Sequence, residues 1–227
     1  MTRTVLYAIA AVLCVAPSFA QVSMTLTGPG SNGALGNVYI GPYVATIGGV
    51  KNVQAICDDF VHDTFLQESW TANVSSLPNT QQYEQAAWLT LQLLSSTSAP
   101  CNGGTNCAGD IQYALWQLMD PTAPQGQLTP FDYLNSKGLT ADLSSAQTFL
   151  TNSGLSANYS GIDYSRFSVY TPDLTKPITC SPGPCASTPP QNFIVVRTAE
   201  PSSLAILGLD LSAVGALVFF LKRRLTI

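Results

Sequence analysis

Between residues 77 and 83 the hydrophobic pattern changes period, and that change limits the fold more than any other feature of the chain. Upstream, residues 22–27 and 70–77 alternate apolar and polar side chains, the two-residue repeat of a half-buried strand. Residues 38–47 and 54–60 are further strand candidates, with Gly48-Gly49 as the turn between them. Downstream, Tyr83, Ala86, Ala87, Thr90, Leu91 and Leu94 recur at helical spacing until 95–100 ends the run. A second helix is predicted to start at Asp110 as N-cap and to run over 111–119, where Asp120-Pro121 stops it. Residues 140–150 are also helical in pattern, and 166–170 and 193–196 read as closing strands. Pro172, Pro177, Pro182, Pro184, Pro189 and Pro190 stiffen the loop between those two. Strands, then helices, then strands predict an α+β fold: an antiparallel, barrel-like sheet with an inserted helical pair, not a repeating βαβ sheet.

The two ends of the 227-residue chain follow other rules. Residues 1–20 read as a secretory signal: Arg3 gives the positive start, 5–15 the apolar stretch, and Ser18 and Ala20 the small residues before a cleavage point. Residues 204–221 form an apolar run of 18 residues, about 27 Å as a helix and just enough to cross a bilayer. Lys222, Arg223 and Arg224 follow at once, and positive residues stay on the cytoplasmic side. Asp210 lies inside this run, where a carboxylate costs roughly 2.5–3.5 kcal/mol, so the span suits a temporary anchor. Between the ends, residues 21–198 are predicted to form one extracytoplasmic domain. Their 5 Lys or Arg against 11 Asp or Glu leave the body six charges negative. With only 10% charged residues in the whole chain and no basic cluster in the body, nucleic acid is not an expected partner.

Residues 199–203, with Glu200 and Pro201, then the apolar run with Gly208 and Gly215, then the basic tip 222–224, resemble a PEP-CTERM sorting signal over 199–227. The resemblance implies export and a single-pass inner-membrane anchor with its C-terminus in the cytoplasm. It further implies processing by an exosortase-like enzyme, release to the cell surface or extracellular matrix, and a link to exopolysaccharide.

Cysteine arithmetic adds a second constraint. Removal of a leader containing Cys14 leaves five cysteines, an odd number for a compartment where disulfides persist. Cys101 and Cys107 bracket a Gly-rich loop, and Cys180 and Cys185 a Pro-Gly turn, so two local disulfides are the economical pairing among three connectivities. Cys57 is left over. It packs as a small apolar residue unless a partner exists.

Gln112, Ala114 and Trp116, at the start of the second predicted helix, resemble the Thr-Gln-x-Ala motif of the thioester domains of bacterial surface adhesins, with Ile111 in place of Thr. The resemblance spans roughly residues 38–121 and implies Cys57 as the thiol partner. In that chemistry a thiolate attacks the side-chain amide carbon of Gln, ammonia leaves, and an incoming amine later displaces the sulfur. Phe60, Trp88, Tyr113 and Trp116 are the expected walls of a water-excluding pocket. A place for Gln112 in the first helical turn would let free backbone N–H groups polarise its carbonyl.

Asp58, Asp59, His62 and Asp63 read as a solvated acidic loop. A Cys57/His62 hydrolase is disfavoured, because five positions along a strand point the two side chains to opposite faces. Neither metal nor cofactor is expected, and turnover is not. The expected role is adhesion or attachment to an amine-bearing surface target or exopolysaccharide, by a covalent route through Cys57 and Gln112. A passive structural or matrix-binding protein with a buried Cys57 is the alternative, and a matrix-polymer hydrolase a distant third.

Overall fold

The computed structural model describes residues 20–197 apart from 182, 184, 186 and 187. The signal predicted over 1–20, apart from Ala20, and the whole segment 198–227, with Glu200, Pro201, Lys222, Arg223 and Arg224, lie outside the described residues. Among the described residues no helix is long and apolar enough to cross a membrane.

Among the described residues, nine strands and five helices follow in the expected order. Strands β1 (Ala20–Gly28), β2 (Ala34–Leu35), β3 (Val38–Tyr39), β4 (Tyr43–Ile47), β5 (Val50–Cys57) and β6 (Glu68–Ser76) come first. Helices α1 (Gln81–Ser95), α2 (Cys107–Met119), α3 (Pro130–Ser136), α4 (Thr140–Ser153) and α5 (Ser156–Tyr159) come next. A short 3₁₀ turn leads into β7 (Phe167–Pro172), β8 (Thr179–Cys180) and β9 (Phe193–Val196). The main sheet runs β1-β4-β5-β9-β7-β6-β8, and β1 also pairs with β6, so six strands close into an antiparallel barrel with β8 outside. Closure removes most of the exposed edge that an open sheet would leave.

Local sequence explains most of the turns. Ile47 pairs with Val50 across Gly48 and Gly49, both at positive φ, which is the two-residue hairpin geometry that glycine favours. The strand predicted over 38–47 is instead two pieces. Pro42 lacks the N–H a ladder requires, and the chain breaks at the cis Gly41-Pro42 bond between β3 and β4. The strand predicted over 54–60 starts earlier, at Val50, and ends at Cys57, because Asp59 Oδ1 accepts the main-chain N–H groups of Val61 and His62 and turns the chain.

The inserted helical pair is a correction: the insertion holds all five helices. Thr129 caps α3 with Pro130 in its first turn, and α4 covers the predicted stretch 140–150. Helix α2 is the hub. Every residue from Ala108 to Trp116 is buried, because α1, α3 and α4 pack around it and the barrel closes over what remains. Its start also differs from the prediction. Asn106, not Asp110, is the N-cap, its Oδ1 accepting the Gly109 N–H at 2.9 Å, so the helix begins a turn earlier.

Both disulfides are present, Cys101–Cys107 and Cys180–Cys185. The first closes the loop that enters α2. Thr105 fastens this loop to α4 by donating its N–H and its hydroxyl to Asp142 Oδ1, at 2.6 and 2.8 Å. Asp110 lies in the same place, fully buried, with both carboxyl oxygens lacking a hydrogen-bond partner. A β-carbon on Gly104 would collide with that carboxyl group. Burial pushes the Asp110 carboxyl up to about 7; Ser145 opposes the shift and the Asp142 charge adds to it.

Candidate functional site

Cys57 is the last residue of β5, and Gln112 lies in the second turn of α2. Both side chains are fully buried, and the fold brings them together: Gln112 Nε2 donates to the main-chain oxygen of Cys57 at 2.7 Å. The other end of the carboxamide, Oε1, is buried without a partner. It lies against Gly41, where a β-carbon would come within 2.8 Å. The missing side chain at 41 makes room for the carboxamide. Because α2 starts early, Gln112 is past the first turn, and the expected polarisation by free helix N–H groups does not operate.

Cys57 is the free cysteine among the described residues. Its thiol donates to the Asp59 carbonyl at 3.0 Å, and the Asp59 N–H points back at the sulfur at 3.4 Å. Burial pushes the thiol well above its ordinary range, and the charges of Asp59 and Asp58 push it further. The indole N–H of Trp116 makes no hydrogen bond, yet it lies close enough to the sulfur to oppose that rise. A thiol so placed resists ionisation, and a thiolate expelled from an acyl group here would be a poor leaving group.

Three of the four expected pocket residues form one aromatic cluster. Phe60 and Tyr113 each lie 5.1 Å from Trp116, centroid to centroid, and 5.9 Å from one another. Trp88 is different: it is half-buried on α1 and pairs with none of these rings. Its place is taken by Tyr133, which the sequence reading missed. Tyr133 stacks on Tyr113 at 6.3 Å and meets Phe60 edge-on at 5.7 Å. The helical start at Thr129-Pro130 was the available signal for it, since Tyr133 falls on the inner side of that short helix.

Loop 32–41 is stapled over α2 by side chains on both sides. Asn106 Nδ2 donates to the Asn32 carbonyl and Asn32 Nδ2 to the Gly41 carbonyl, at 3.2 and 2.7 Å. Tyr113 and Tyr133 hydroxyls donate to the carbonyls of Leu35 and Gly36, at 3.2 and 2.8 Å. The loop therefore holds Gly41 against Gln112. A cleft of about 420 Å³ reaches the aromatic cluster from outside, lined by Phe60, Trp116, Tyr133, Leu128, Asp63 and Gln191.

The acidic segment is not the solvated loop its composition suggests. Asp58 is 4% and Asp59 7% exposed. Asp59 is fully occupied, with Oδ1 on two main-chain N–H groups and Oδ2 2.7 Å from His62 Nδ1. Asp120, at the C-terminal end of α2, accepts the Phe60 N–H at 2.6 Å. His62 thus serves Asp59, not Cys57. Glu68, Cys180 and Cys185 also approach one another, but the two sulfurs are bonded together and lack the thiolate charge that holds a metal.

No protein-family model and no curated protein sequence matches the chain. Among solved structures the chain is similar to the N-terminal domain of the Streptococcus pyogenes pilus tip adhesin Cpa. The two share 12% identity over 79% of this chain and 94% of that one, with a TM-score of 0.43.

Proposed function

We propose that the protein is an exported surface protein that attaches covalently to an amine-bearing partner through an internal thioester between Cys57 and Gln112. One observation carries the reading. The only described free thiol and a buried carboxamide belong to residues joined by a 2.7 Å hydrogen bond, and the carboxamide oxygen has no other use. Buried polar atoms are rarely left unpartnered without a reason.

In the first step Cys57 Sγ adds to the Gln112 side-chain carbon, the thiol proton goes to the departing nitrogen, and ammonia leaves. In the second, an amine forms an amide with that carbon, the C–S bond breaks, and the sulfur takes a proton. Gln112 is consumed, so the protein is not an enzyme in this reading. The aromatic cluster keeps water off the acyl group until the partner arrives. Export and anchoring by the terminal segments belong to the same proposal and rest on the sequence alone. Amine-bearing surface targets are the partners this chemistry uses; exopolysaccharide would serve where it carries free amines.

Intact-mass measurement of the purified domain tests the proposal. The expected mass is lower than the sequence mass by one ammonia beyond the two disulfides, with one methylamine gained on incubation. Cys57→Ala is expected to abolish both changes. A fresh wild-type protein at full mass, inert to methylamine, would sink the thioester. A second reading would then stand, a passive surface protein, favoured by the complete burial of Cys57 in the core cluster beside Ile56 and Phe193.

A further inference from the structure

The carboxylates beside Cys57 are placed where electrostatics resists them. Asp120 ends α2, where the helix already presents the negative end of its dipole, and Asp58 and Asp59 crowd the same region. Asp59 and Asp120 have evident structural work, since each accepts main-chain N–H groups. Asp58 has no such partner beyond its own main chain. It is 4% exposed, its Oδ1 has no partner, and it follows directly after the residue whose carbonyl holds Gln112. A buried carboxyl group with a free oxygen beside a nucleophilic centre is more costly than packing requires.

We propose that Asp58 is the proton-transfer group of the Cys57–Gln112 site, taking a proton from the attacking ammonium. This rests on the thioester reading above. An amine attacks only when its lone pair is free, and a protein amine at neutral pH is mostly an ammonium. Asp58 carboxylate takes one ammonium proton and becomes the acid. The neutral amine adds to the Gln112 acyl carbon, the C–S bond breaks, and a second nitrogen proton passes to the Cys57 sulfur. The products are one amide, one thiol and one protonated Asp58, so the three protons of the ammonium are accounted for.

The surroundings set Asp58 for this task. Burial, first, and then the charge of Asp59 push its carboxyl up to about 7, with Asp120 adding to the rise. Cys57 in β5 and Tyr83 on α1 are raised in turn by the Asp58 charge, and among the described residues His62 is the nearby group able to carry positive charge, acting on Asp120. A proton acceptor works best when its affinity matches the working pH.

The test follows methylamine capture by intact mass as a function of pH, counting only molecules that carry the thioester. In the wild type, capture beyond that due to free amine is expected to switch on through about pH 7. Asp58→Asn is expected to lose that inflection and slow capture about a hundredfold above it. Asp120→Asn, which removes one of the charges holding Asp58 up, is expected to move the inflection to lower pH. Thioester-bearing Asp58→Asn protein with the wild-type profile, or an inflection unmoved in Asp120→Asn, would overturn the assignment and leave the thioester standing. A wild-type protein that never loses ammonia removes the thioester reading itself, and this assignment with it.

Discussion

Replacing Asp110 by Asn should stabilise the domain at alkaline pH and leave it nearly unchanged in acid. The folded carboxyl ionises at about 7 against an ordinary value of 3.8, a gap of roughly three pH units. At about 1.4 kcal/mol per unit the gap is worth up to about 4 kcal/mol. The sign follows from proton binding. Between the two values the folded state holds a proton that the unfolded chain has released, so stability falls as pH rises through this window and levels off above 7. Against a total stability of about 5–15 kcal/mol this loss is large. Asn keeps the shape but has no charge to bury. Urea unfolding at about pH 5 and about pH 8 gives the comparison. The wild type is expected to lose more stability between the two than Asp110→Asn does, by up to about 3 kcal/mol, the share of the window that lies above pH 5. Since Asp58 contributes a slope of the same sign in both proteins, the difference isolates residue 110. Equal slopes would mean that the group is solvated or shares its charge with Ser145 and Asp142 more fully than its burial implies.

The remaining predictions concern the site and its supports. Gly41→Ala places a methyl group 2.8 Å from Gln112 Oε1 and 3.4 Å from the Tyr43 ring. It should lower stability by about 1–3 kcal/mol in thermal unfolding and abolish methylamine capture in the mass assay. Reduction-proof replacement of Cys101 and Cys107 by Ala opens a loop with a separation of 6 residues. It should cost about 2 kcal/mol in urea unfolding. Because the loop carries the Asn106 cap, capture should slow as well.

The barrel and the helical insertion were legible because hydrophobic period is a local property. Alternation at 22–27 and 70–77 and the spacing from Tyr83 to Leu94 each reported a single face. The disulfides were legible for a similar reason, since a short Gly- or Pro-containing loop can close on itself. The pair Cys57 and Gln112 came from an odd sulfur count and a motif, not from periodicity. What failed depended on contacts between distant segments. Asp110 looked like a helix cap because a capping side chain and a buried acid share one identity, and only the Asn106 contact separates them. The acidic run 58–63 looked solvated because nothing local reveals that Asp120, 60 positions on, would return to bond its backbone. Trp88 and Tyr133 are equally aromatic; the packing of α3 against α2 decides which one reaches the cluster.

Strand β9 has four residues, yet it is laced into the sheet along both sides, to β5 at Ile56 and Cys57 and to β7 from Phe167 to Tyr170. A molecule gripped at Gln112 and tethered through the chain beyond Arg197 would carry tension lengthwise along this strand. Antiparallel hydrogen bonds lie across that direction, so they would have to give way together and not one at a time as in a zipper. Under such a load the shortest strand of the barrel would act as its mechanical clamp.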